Sequence, residues 1–149
     1  AHLVALVSAD PHIAQREKVQ PWLGTIALDS AAYNVVTIMN SPHFSLYDDA
    51  FGVDQKFWKQ ASPALRLKTK IVPMLLVCST LRLTSRPQAE AFAARAKSLG
   101  SRAVVLPVAL RHGEINAQLG LPGKYTEQVD AFIHSLLATN VEGVKGEQD

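Results

Sequence analysis

An imidazole can take up a proton near neutral pH, and His112 stands where such a group is most useful. It follows Ala103 to Leu110 (AVVLPVAL), a short run that is apolar on both faces and so predicts a buried parallel strand. In an open α/β sheet the loops beyond the strands' carboxyl ends converge on a crevice, where binding and catalytic groups gather. A histidine so placed is a candidate general base, although a lone histidine after a strand is more often a capping or surface group. Ser79, Thr84 and Ser85 follow a second apolar run, Ile71 to Thr80 (IVPMLLVCST). If the two runs lie side by side, one of these hydroxyls could approach the imidazole as a Ser-His dyad, although hydroxyls there more often cap helices. Ser41 and Ser45 beside His43 form a weaker version of the same pairing. Cys78 lies inside an apolar run and reads as a small buried hydrophobe.

These groups need a frame to hold them. Ser85 is placed to cap a helix with Pro87 in its first turn; Ala89, Phe92, Ala93, Ala96 and Leu99 line one side, and Gly100 closes it. The strand at Ala103 follows at once, which predicts a βαβ unit with parallel strands and the helix across one face. Pro73 would cost a central strand a ladder donor, so it marks the strand's first residues. Thr25 to Leu28 is a shorter strand candidate, and Asp29-Ser30 offers a cap for a helix over 31–39. Residues 40–67, rich in aromatics and acids, predict a flap of short helices ending at Ser62-Pro63. Tyr125, Val129, Phe132, Ile133, Leu136 and Leu137 recur at helical spacing after Pro122-Gly123. The reading is one domain over 1–139 and a frayed polar tail over 140–149.

With 149 residues, 48% of them apolar and 19% charged, the chain has the composition of a single globular domain. A net charge of +2 with scattered Lys and Arg argues against nucleic-acid binding. No apolar run reaches the ~18 residues of a membrane span, and no signal-peptide order opens the chain. One cysteine forms no internal disulfide and permits a reducing, cytoplasmic location. Leu3, Val4, Leu6 and Val7 read as the end of a buried helix with no capping residue before it.

Taken in order, AHLVAL, WLGTIALDSAAYNVV, SPHFSLYDDAFGVDQKFWKQASP, IVPMLLVCST, QAEAFAARAKSLG and RHGEINAQLGLPGKYTEQVDAFI resemble the C-terminal part of an α/β hydrolase of the bacterial carboxylesterase or formamidase type. The resemblance implies an α/β fold, a truncated hydrolase-like parallel sheet of about three strands flanked by helices. It implies a carboxylic-ester hydrolase with His112 as catalytic histidine, a small ester as substrate, and no cofactor or metal. Phe44, Tyr47, Phe51, Phe57 and Trp58 would line an acyl or aryl pocket. It further implies that the chain starts just past the nucleophile serine, since no G-x-S-x-G occurs, and that the oxyanion amides are also missing. The family's acid falls in the loop Leu81-Arg82-Leu83-Thr84-Ser85-Arg86, which holds no carboxylate; Thr84 takes its place, and Glu90 or Glu114 could substitute by reach.

The ordinary Ser-His-acid mechanism is therefore not expected within this chain alone. By the family's strand order the Thr25 strand is left as an unpaired edge, with apolar Leu3, Val4, Leu6 and Val7 nearby. Such an edge predicts self-association as a homodimer or larger. A non-catalytic remnant that associates through that edge, and a weak esterase using a Ser-His dyad, stand as the alternatives.

Overall fold

The computed structural model describes residues 1–145, with side chains placed as far as Ala138. Three parallel strands form one sheet in the order β1 (Thr25–Leu28), β2 (Met74–Ser79), β3 (Ala103–Val108). Thr25 and Ala103 both pair with Met74 in register, so the three strands start level. All six residues of β2 are buried, as expected for a central strand covered on both faces.

Alternation along the strands divides the core in two. Met74, Leu76 and Cys78 join Ala27 and Ala103 against Ala5 and Ala9 of α1 (His2–Ala9) and Ala89, Phe92, Ala93 and Ala96 of α7 (Ser85–Ser98). The alanines let that helix lie close to the sheet, and Phe92 fills the space beside Tyr33 with ring centroids 4.9 Å apart. On the other face Leu75, Val77, Leu106 and Val108 pack on Ile115 of α8 (His112–Gln118) and Val129 and Phe132 of α9 (Lys124–Lys145). β2, α7 and β3 are thus the expected βαβ unit.

The flap is a third, smaller cluster. Val35 and Ile38 of α3 (Val35–Met39) meet Trp58 and Ala61, with Tyr47 and Phe51 of α4 (Ser45–Phe51) against them. Trp58 lies on α5 (Gln55–Gln60) and ties the turn before it, its indole N–H donating to the carbonyls of Phe51 and Gly52. The buried Ser62 hydroxyl, just before α6 (Pro63–Arg66), donates to Trp58 O and accepts from the Val35 amide, fastening flap to domain. A short α2 (Pro11–Arg16) follows α1. Among the described residues no helix is long and apolar enough to cross a membrane.

Several boundaries differ from expectation for local reasons. β3 ends at Val108 rather than Leu110, because its partner β2 stops at Ser79, whose hydroxyl donates to Leu110 O instead. The helix expected over 31–39 starts only at Val35, capped by the Asn34 side chain, since Asp29 and Ser30 are taken up by other bonds. Thr84 rather than Ser85 occupies the cap position of α7. α9 runs to Lys145, into the stretch expected to be a tail, and residues 146–149 of that tail lie outside the described residues. Of the apolar residues of α1, Leu3 and Val4 are exposed, whereas Leu6 and Val7 are half-buried.

Candidate active site

The site assembles at the carboxyl ends of all three strands. β1 delivers Asp29, β2 leads into Arg82 and Ser85, and β3 leads into His112 at the first turn of α8. Asp29 adopts φ +56°, a left-handed backbone conformation that aspartate tolerates better than most residues. Its amide still donates to Val77 O at 2.8 Å, so the chain leaves the sheet by turning sharply just after its last ladder bond.

The Asp29 carboxylate has no accessible surface yet is fully bonded. Oδ1 accepts from the Ser79 amide at 2.8 Å and from the Ser85 hydroxyl. Oδ2 accepts from Arg82 Nη1 at 2.5 Å and from His112 Nδ1 at 2.8 Å. Burial would push this carboxyl up; the donors from Ser85, Ser79, Arg82 and His112 outweigh it and hold the group below the usual carboxylate value. An ionised carboxylate can only accept, so Nδ1 of His112 carries the proton and the neutral ring keeps its lone pair on Nε2. Among the described residues nothing bonds to Nε2, and the His112 side chain is 62% exposed. The Arg111 amide donates to Glu114 Oε2 at 2.6 Å and steadies the turn that presents the ring.

Asp29 is therefore the carboxylate bonded to His112, and it comes from β1 rather than from the loop after β2, where no carboxylate was expected. The substitutes considered from reach do not touch the imidazole. Glu90 pairs with Arg86, Glu114 bonds the Arg111 amide, and Thr84 makes no bond to the ring. Nor does the structure bring a hydroxyl to Nε2. Ser79 Oγ donates to Leu110 O at 2.6 Å, and Ser85 Oγ is spent on Asp29, so the Ser-His dyad does not form. At the flap, His43 has both nitrogens engaged, Nδ1 on Ser41 O at 2.6 Å and Nε2 on Asp48 at 3.0 Å. The Asp48 bond raises its pKa, and no lone pair remains for Ser41 or Ser45. Burial pushes the Cys78 thiol up to about 11, which leaves it unreactive at neutral pH.

Beside Arg82 a groove of about 570 Å³ opens between the flap and the loop after β2. Phe44 and Tyr47 line it, whereas Trp58 is buried in the flap's own core and Phe51 and Phe57 do not reach it. Arg82 and Asp29, the two side chains that contact the His112 ring, are the site residues that sequence reasoning missed. The signal for Asp29 was its place at a strand's carboxyl end, the same position that singled out His112.

No family model matches the chain, and no curated protein matches it. Among solved structures, it is similar to carboxyl esterase 2 from the mycorrhizal fungus Tuber melanosporum, at 21% identity and a TM-score of 0.58, over 91% of this chain and 49% of that one. A second, Thermogutta terrifontis esterase 2 phosphoramylated by tabun, aligns at 18% identity and a TM-score of 0.40 over 72% of this chain and 38% of that one. The chain has the α/β fold of the fungal esterase and spans about half of its length.

Proposed function

We propose that this chain carries the histidine and acid of a carboxylic-ester hydrolase, with His112 as general base and Asp29 as the group that orients it. The observation that supports this reading is the 2.8 Å bond from His112 Nδ1 to a buried, ionised Asp29 at the carboxyl rim of a parallel sheet. A carboxylate so placed fixes the tautomer with Nε2 free and stabilises the imidazolium that forms when Nε2 takes a proton. The hydroxyl that gives up that proton is supplied from outside the described residues, and the ester is a small one.

Even without that hydroxyl, an oriented imidazole attacks activated esters. Nε2 adds to the carbonyl of p-nitrophenyl acetate, p-nitrophenolate leaves, and water hydrolyses the acyl-imidazole. Purified chain is expected to hydrolyse p-nitrophenyl acetate with at least about a tenfold loss in His112→Ala, a smaller loss in Asp29→Asn, and none in His12→Ala. Equal rates in wild type and His112→Ala would contradict the reading.

We also propose that copies associate along β1. That strand is an edge of the sheet, and Leu3 and Val4 of the neighbouring α1 are 72% and 45% exposed.

A further inference from the structure

The guanidinium of Arg82 is only half used. Among the described residues its polar contacts all run through Nη1: to Asp29 Oδ2 at 2.5 Å, to Asp29 O at 3.2 Å, and 3.3 Å from His112 Nδ1. Nε and Nη2 have no partner among the described residues, although the side chain is only 28% exposed. A guanidinium presents five N–H groups in a fixed planar fork, so one edge can hold Asp29 while another holds a second carboxylate.

The surroundings suit such a ligand. Arg82 lines the groove of about 570 Å³, within the range of small-molecule sites, and stands between that groove and His112. Ile38, Pro42, Phe44, Tyr47 and Leu83 supply apolar wall, and no Asp or Glu lines it. A neutral apolar ligand would leave the guanidinium edge without a partner, and a cation would be repelled by it. A monoanion with an apolar arm satisfies both.

We propose that the substrate bears a free, non-reacting carboxylate that Arg82 binds through its unused edge, with an apolar substituent in the groove and the ester at His112. The class is that of an aryl- or alkyl-substituted succinic half-ester. This rests on the ester-hydrolase reading for the position of the reacting group, but binding can be measured apart from turnover.

The test is a titration of the chain, followed by amide NMR, with 2-benzylsuccinamate, in which an amide stands for the ester, and with the neutral 2-benzylsuccinamide. The carboxylate ligand is expected to bind about tenfold more tightly or better, with shifts at groove residues. That advantage should vanish in Arg82→Gln and be partly kept in Arg82→Lys, whose ammonium lacks the fork. Equal affinity of the two ligands for the wild-type chain, an advantage that persists in Arg82→Gln, shifts confined to other surfaces, or no binding of either ligand would each overturn the proposal. A carboxylate advantage alongside ester hydrolysis indifferent to His112→Ala would sink the catalytic reading alone, and the reverse result would sink only the Arg82 site.

Discussion

Asp29 stays ionised without any contact with water because four donors converge on its two oxygens. Its pKa is lower folded than unfolded, so the charge contributes stability above the unfolded value, about 3.9, and the contribution is lost as pH falls through the lowered folded value. Asp29→Asn removes that dependence and leaves Arg82 without its ion pair. We expect a loss of about 1–3 kcal/mol at pH 7 in urea denaturation, shrinking towards zero below pH ~4. A deficit that is the same at both pH values would argue against an ionised Asp29. His112 was legible in the sequence because it stands alone after an unmistakable apolar run. Asp29 was not, because Asp-Ser ahead of helical text carries a local capping signal, while its actual partner lies 83 positions away. No local pattern reports a contact of that range.

At the scale of elements, the three strands were readable since each is a short apolar run, and β2 and β3 are joined by a helix with one small-residue face. The edges of elements were less so. Whether Ser85 caps α7 or bonds Asp29 depends on what β1 brings alongside, which α7's own residues do not encode. The join between β1 and α9 makes a sharp test of how these layers pack. A Cβ on Gly24 would meet Leu136 Cδ1 at 2.6 Å and Pro73 O at 3.0 Å. Gly24→Ala should therefore destabilise the chain by about 1–3 kcal/mol in chemical denaturation, since the carbonyl cannot move without disturbing the β1–β2 ladder. A neutral result would mean that Leu136 of α9 does not approach Gly24 closely enough to meet a Cβ there.

The whole molecule has a sheet with two edges, and they are not alike. β3 carries Pro107, which offers no N–H to a further strand, so that edge is blunted against pairing. β1 has no such residue, and α1 beside it exposes apolar side chains. Association through β1 predicts a mass above 16.2 kDa by light scattering at micromolar concentration, and a monodisperse monomer would contradict it. The composition had indicated a single globular domain, and the described residues form one sheet with cores on both faces. What composition could not convey is that the site draws on every strand at once: Asp29 from the first, Arg82 after the second, His112 after the third.

All of this turns on the pairing of His112 with Asp29. Long-range ¹⁵N–¹H correlation of the His112 ring at a pH where it is neutral reads the tautomer directly. The pairing predicts a proton on Nδ1 and a bare Nε2 in the wild-type chain, with the preference lost in Asp29→Asn. A ring protonated on Nε2 in the wild type, unchanged by Asp29→Asn, would contradict it.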